Sequence, residues 1–455
     1  MDFARRHLIP LFLALVLAAV GAAIYVALLP AENRAIEQQL VGFPDSDIAA
    51  HRARTIYLAG LCALPALAVL AYAMGDTLDR YITRQFLAIF GICLSALFLI
   101  WLLIDLSDKI SDFRDTRSVI GTILYFYSAR SPAILLLLLP YSLLLALLYS
   151  LGKLSSQREI IAVIQSGRSV IRTSLPLIIA GIFCTLLSLG LNYHWAPIAE
   201  GTQDEILATA SGSQATEASK VLYRSPENRR LWMIGAFPPD YEKGKPLLNV
   251  EVTTTGENRE IISRISASHA RWDRATRRWT FENPVIGRFK PGDAPVFETP
   301  AAPLVIDSWP ETPWQLIKPG LDAAHLGIPD LNTWLQASAR HRGFADPSPY
   351  ITQWHYRWAL PFTCIVTVLL AAPLSIHFSR RGPGGGVFLA VVLSALMLLT
   401  SNISLAFGEA GLMRPALSAW LPNLAFGLLG LYLFHRRVTG RPIYQSLLRL
   451  LPGTD

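Results

Sequence analysis

The chain has 455 residues, of which 52% are hydrophobic and only 16% charged, and its mean hydropathy is +0.38. Soluble domains carry about 25% charged residues, so this composition excludes a disordered chain, argues against a wholly soluble enzyme, and leaves a polytopic membrane protein with room for one extramembrane domain. The net charge of +7 is the mark of basic cytoplasmic loops rather than of nucleic-acid binding, because no basic patch with interleaved aromatics occurs.

From the N-terminus, a basic stretch (Met1 to His7) precedes an apolar run from Leu8 to Leu29. That run is too long for the core of a signal peptide, so a retained span is expected. In all, eight segments of roughly 20 apolar residues are long enough to cross about 30 Å of hydrocarbon. They lie near 8–29, 55–74, 85–107, 131–152, 172–194, 356–376, 386–407 and 416–435. Arg5, Arg6, Arg80, Arg84, Lys153, Arg158, Arg168, Arg172, Arg380, Arg381, Arg436, Arg437 and Arg441 all fall on one side of such an arrangement. That side is the cytoplasm. Both termini are then inside, and the long polar stretch 196–350 is outside.

The chain carries no GxxxxGK[ST] phosphate loop, no HExxH and no GxSxG, so it is read as a non-enzyme that does not itself hydrolyse ATP. Cys62, Cys93, Cys184 and Cys364 lie far apart inside apolar runs; they have no metal or disulfide spacing and read as small packing residues. His194, His355 and His377 sit near span boundaries and read as interfacial polar groups. Gly384-Gly385-Gly386, after Arg380-Arg381-Gly382-Pro383, lacks the preceding strand of a nucleotide fingerprint and reads as a flexible turn.

Within the outer stretch, Leu231–Ile234, Leu247–Thr254, Glu260–Ala270, Arg278–Phe281 and Val285–Phe289 are short strand-like runs separated by turn signals. They predict a sandwich or jellyroll. Ile328–Leu335 reads as a short capped helix returning to the membrane.

The loop Leu151–Gly167 is unusual. Ser156-Gln157-Arg158-Glu159 has the spacing of a capping box, with Ser156 at the N-cap and Glu159 at N3. Ile160, Ile161 and Ile164 share one helical face, and Gly167 supplies a stop. A short amphipathic helix pinned between two spans can be a lever gripped by a soluble motor. It can equally be an interfacial helix in the headgroups, with Glu159 merely capping; the residues alone leave both readings open.

Several stretches together resemble a known family. They are Leu78-Asp79-Arg80-Tyr81-Ile82, Pro140, Leu151–Gly167, Trp195-Ala196-Pro197, Arg357-Trp358-Ala359-Leu360-Pro361, Ala372-Pro373-Leu374, Gly411, Pro415 and Ala419-Trp420-Leu421-Pro422-Asn423. In collinear order over about 76–437 they resemble the LptF/LptG permeases of lipopolysaccharide export, with Leu78–Ile82 leaning toward the G half. The resemblance implies an α-helical polytopic inner-membrane protein with an inserted, all-β, jellyroll-like periplasmic domain. It implies a second LptF/LptG-type permease, an LptB-like ATPase dimer, an LptC/LptA-like periplasmic bridge and lipopolysaccharide as cargo. No cofactor is expected in this chain, since the partner subunit uses the ATP. On this pattern 1–75 is an N-terminal hairpin extra to the family and dispensable for the core fold. Residues 76–195 are the first transmembrane half with a coupling helix at 154–167, 196–325 the β domain, 326–350 a connector, 351–437 the second half and 438–455 a cytoplasmic tail. Glu159 matches the family's acidic coupling position, and Arg158, Ile160, Ile164 and Gly167 make up the rest of the ATPase contact.

The spans at 85–107 and 386–407 would line a lateral gate. One family branch has a lysine near the end of the former that contacts lipid phosphate; here Asp105 stands there, with Lys109 one turn later. An aspartate repels phosphate, so Asp105 is read as interfacial or paired with a base of the partner chain. Lys109 is the substitute candidate against an ordinary interface anchor. Thr400, Ser401, Asn402 and Ser404 form a polar patch, read as interhelical hydrogen bonding in preference to cargo contact by Asn402 and Ser404. Two other function classes compete: a membrane-anchored β-domain scaffold, and a secondary transporter. The latter would need ionisable residues at mid-membrane, where the spans have almost none.

Overall fold

The computed structural model describes residues 2–42, 47–114, 118–201, 206, 218–225, 229–238, 241, 244–256, 260–273, 275–289, 294–307, 309–317, 323–340, 347–376 and 384–439. Arg380, Arg381 and most of the C-terminal tail lie outside this set. The first half of the chain is helical: α1 (Asp2–Gly42), α2 (Ile48–Met74), α3 (Thr77–Arg114), α4 (Val119–Ser156), the short α5 (Glu159–Gln165), α6 (Val170–Tyr193) and α7 (Trp195–Gly201). Eight strands follow, then α8 (Pro313–Ile317), α9 (Ile328–Arg340), α10 (Ser348–Ala359), α11 (Phe362–Ser375), α12 (Gly384–Glu409) and α13 (Pro415–Val438).

Among the described residues seven helices are long and apolar enough to cross a membrane, and α10 with α11 makes an eighth span if the bent pair is one. The expected span at 356–376 is therefore a broken one that begins at Ser348 and bends by 51°. Pro361 causes the break. It has no N–H to offer the carbonyl of Arg357, and the Thr363 N–H turns to Leu360 O instead of Ala359 O. Two asparagines from neighbouring helices satisfy the orphaned carbonyls: Asn192 of α6 donates to Arg357 O at 2.6 Å, and Asn423 of α13 to Ala359 O at 2.6 Å. Backbone polar groups at membrane depth need such partners.

The bundle core is built where α4 meets α11, from Leu143, Leu147, Leu151, Val368, Ala371 and Ala372. Gly21 lets α1 lie close against α2, because a Cβ there would collide with the carbonyl of Cys62. All four cysteines are free, and Cys364 is buried in the core.

Between the two helical halves the strands form one antiparallel sheet: β1 (Ala218–Ser225), β2 (Arg230–Phe237), β3 (Leu247–Thr255), β4 (Ile261–Asp273), β5 (Arg278–Glu282), β6 (Val285–Arg288), β7 (Val296–Glu298) and β8 (Leu304–Ile306). Side chains alternate between faces along a strand. Trp232, Ile234, Val250, Val252, Ile265, Ala267, Trp279 and Phe281 share one buried core. The only partial alternation at Ile261–Ala267 has a cause. β4 is 13 residues long; its first part pairs with β6 and its last part with β5. Asn283-Pro284 separates those two partners, as a proline that cannot donate to a ladder will. β1 was not foreseen, although Val221 and Tyr223 point inward at period two. Leu316 and Ile317 of α8 close the core. Glu311 anchors it, its carbonyl accepting from Trp279 Nε1 at 2.7 Å and its carboxylate pairing with Arg230 at 3.0 Å.

Candidate functional site: the elbow between α4 and α6

The segment expected to carry a mechanism is shorter than 154–167. α4 runs on through Leu154 to Ser156, so those residues belong to a span. Arg158 then takes a left-handed backbone (φ 61°) and starts α5, a conformation that costs a residue with a Cβ on the order of 1 kcal/mol. The capping box is therefore not formed. Ser156 Oγ donates back to Lys153 O at 2.8 Å, and Glu159 is the first residue of α5, not its third. The box failed because the apolar run of α4 outlasts it. Gly167 does act as the stop, at φ 92°, with its N–H on Ile164 O.

The apolar face of α5 is a peg. Ile160 is 2% exposed and Ile164 half-buried, and both pack on the α4–α11 core. Arg158, Ala162, Gln165 and Gly167 remain exposed. The polar edge bonds to a third helix. Glu159 Oε2 accepts from the Tyr81 hydroxyl of α3 at 2.9 Å, and that hydroxyl accepts from Gln85 at 2.7 Å. Just past α5, Arg168 pairs with Asp79 and Arg172 with Asp76 at 2.7 Å. The elbow is thus joined covalently to α4 and α6 and through side chains to the start of α3. Asp76 and Asp79 were missed by the sequence reading; an acidic pair at the foot of one span opposite a basic pair at the foot of another was the available signal.

At the far end of α3, Asp105 does not stand alone. Its carboxylate accepts from Tyr127 at 3.0 Å, pairs with Arg130 of α4 at 3.1 Å and has Lys109 Nζ at 3.3 Å. Its base is in its own chain, which corrects the expectation of a partner-chain base. Arg130 also lies 5.2 Å from the Trp101 ring and 5.3 Å from Phe126, and Lys109 lies 5.1 Å from Phe126. Two cations thus face this carboxylate, one from α3 itself and one from α4. Arg130 escaped notice because the expected fourth span began one residue after it.

The polar patch on α12 divides. Ser404 is buried and donates to Ser418 O of α13 at 2.7 Å, an interhelical bond as read; Thr400 donates within its own helix. Asn402 is exposed, beside the exposed Leu399 and Ile403. No group of three His, Cys, Asp or Glu able to hold a metal occurs among the described residues.

The family model of the lipopolysaccharide export system permeases LptF/LptG matches residues 80–436. The chain is similar to the lipopolysaccharide export system permease protein LptF of Escherichia coli (strain K12), being 25% identical over 316 residues that cover 66% of this chain and 79% of that protein. It is equally similar to LptF of Shigella flexneri, at 25% over 316 residues. These relatives are F halves, against the lean of Leu78–Ile82. The family match begins inside α3 and leaves α1 and α2 outside it.

Proposed function

The chain belongs to the LptF/LptG family of lipopolysaccharide export permeases, and from that premise we propose that it is one transmembrane half of an ATP-driven exporter in the inner membrane. An LptB-like ATPase dimer grips α5 from the cytoplasm, a second permease of the same fold completes the conduit, and the β domain, a jellyroll facing the periplasm, hands the lipid to an LptC/LptA-like bridge. Both termini are cytoplasmic. The chemistry demands a motor, because each CH₂ withdrawn from an apolar environment into water costs about 0.8 kcal/mol and lipopolysaccharide carries several acyl chains.

One observation carries the reading: α5 is pegged by Ile160 into the core and tied by Glu159, Arg168 and Arg172 to α3. A push on α5 therefore reaches the outward-facing helix that would form the gate. In support, the most apolar window of α3 has none of its residues buried, and α12 has 22%; both leave apolar faces for a second permease and for acyl chains. Lys109 and Arg130 bring cations to what would be the periplasmic end of the gate, where an anionic headgroup would pass.

The test starts from the full chain purified with its native companions. An ATPase should co-purify, and Glu159→Lys should abolish its assembly or its ATP-dependent lipid release. Intact assembly and release in that variant would remove the lever role from Glu159, and a particle with no ATPase at all would refute the exporter.

A further inference from the structure

α1 and α2 lie outside the family match, yet the end of the hairpin where α2 begins is more polar inside than any anchor requires. Asp47 caps α2 by accepting from Ala50 N–H at 3.1 Å. Its other carboxylate oxygen accepts from Asn332 and Gln336 of α9, each at 3.3 Å, and its own N–H donates to Thr333 Oγ1 at 3.3 Å. One turn further, His51 Nε2 lies 3.3 Å from the same hydroxyl. After another turn Arg54, 3% exposed, pairs with Glu32 of α1 at 2.5 Å and electrostatically favours the buried Asp330 carboxylate of α9. On the neighbouring helix Tyr193, the last residue of α6, donates to Ala50 O at 2.8 Å and stacks on Tyr57 at 3.9 Å.

These contacts have a topological meaning. The β domain hangs from the bundle by two passages of chain: the exit after Tyr193 and the return through α9. The hairpin holds both. α9 is also seated from its other side, by Trp334 stacked on Tyr350 at 3.6 Å and by Trp354 donating to Asn332 at 2.5 Å, so the hairpin closes the second jaw. Burying ions costs several kcal/mol each before pairing, and apolar residues of similar volume would hold a helix hairpin at less cost. What directional bonds add is register: Asp47 and His51 meet Asn332, Thr333 and Gln336 in one alignment only.

We propose that the N-terminal hairpin is a clamp that fixes the angle at which the β domain is carried over the membrane bundle, with Asp47 as its positioning residue. The clamp concerns how the domain is attached and stands whether or not the cargo is lipopolysaccharide; if the export reading holds, it aligns the domain with the conduit that feeds it.

The test uses the full chain in lipid nanodiscs. The four native cysteines are replaced by alanine, and spin labels are placed at exposed Arg271→Cys in β4 and Ile120→Cys in α4. The distance distribution between labels is narrow in the parent and broadens in Asp47→Ala and in Asn332→Ala, while Asp47→Asn restores part of the narrowness. Leu58→Ala, an apolar truncation in the same helix, lowers thermal stability without broadening the distances. If Asp47→Ala does not fold, Asn332→Ala and Thr333→Val carry the test. Unchanged distributions in the folded variants, or equal broadening in Leu58→Ala, overturn the clamp. ATP-dependent lipid release measured on the parent complex separates the two readings: its absence would sink the exporter and leave the clamp standing.

Discussion

Two joints transmit or resist movement in this chain, and they are built oppositely. The elbow at α5 is fastened to α3 by one pair in the open, Arg172 and Asp76 at 61% and 63% exposed, beside one largely covered, Arg168 and Asp79 at 10% and 17%. The hairpin joint is fastened by bonds sealed from solvent: Arg54 and Glu32 are 4% and 14% exposed. Exposed ion pairs contribute about 0.2–1 kcal/mol each, whereas removing one partner of a buried pair costs about 3–5 kcal/mol. Bonds of the first kind cost little to break; bonds of the second kind hold a geometry. The difference therefore distinguishes a part that moves from a part that stays, without appeal to what is moved.

The largest effect should come from the sealed joint. Arg54→Ala leaves Glu32 and Asp330 buried without their cation and should destabilise the chain by about 3–5 kcal/mol, read as a lowered midpoint in thermal or denaturant unfolding in detergent. A loss below about 1 kcal/mol would make the joint no different from a surface contact and erase the comparison. Next comes the elbow's one buried element. Ile160→Ala removes the peg, and by the usual cost of emptying a core site it should destabilise by about 2–3 kcal/mol. It should also loosen α5 more than any change on its polar edge, seen as faster amide exchange over 159–165 than in Glu159→Gln.

Much of the elbow was legible in the sequence, and little of the clamp was. Apolar runs located the spans, and Ile160, Ile164 and the Gly167 stop located α5, because those signals are local. The capping box at Ser156 failed against a competing local signal, the apolar continuation of α4. Arg130 was lost because the expected span began at 131 while α4 begins at Val119, and Asp105 was read as interfacial or paired with a base of the partner chain. The hairpin joint failed for a different reason. Asp47, His51 and Arg54 lie just before the apolar run that marks the second span at 55, where polar residues read as a loop. α2 begins at Ile48. Their partners Asp330, Asn332 and Thr333 arrive from nearly 300 residues further along, so nothing nearby in sequence announces the pairing.

A third effect sharpens the sealed joint by titration. Burial raises the Asp330 carboxyl from 3.8 to about 6, against the pull of Arg54 and of the Gly327 and Asp330 N–H groups. His194, 3.9 Å away, is kept neutral by burial and by Arg54 and His51. A raised acid binds more protons folded than unfolded. Its favourable contribution is therefore complete below pH 3.8 and is lost as pH rises to about 6, a change on the order of 3 kcal/mol at most. Asp330→Asn should remove this contribution, so the parent's unfolding midpoint should fall relative to that of Asp330→Asn over the window and keep a constant difference above it. A slope that persists unchanged in Asp330→Asn would mean that another buried group titrates there.

The smallest effect is the most diagnostic. Arg172→Ala deletes an exposed pair and should alter stability by no more than about 1 kcal/mol, with Asp76→Asn doing the same. Yet Arg172 and Arg168 are the side chains that connect the foot of α6 to the foot of α3, so Arg172→Ala combined with Arg168→Ala should uncouple the two feet while leaving the fold intact. A crosslink between cysteines placed at Asp76 and Arg172 should mimic a fixed elbow. In a working complex it should stop turnover reversibly, while the same crosslink across Asp47 and Thr333 should leave turnover running. If both crosslinks stop turnover, the sealed joint moves too, and the exposure of a bond has ceased to tell a hinge from a clamp in this chain.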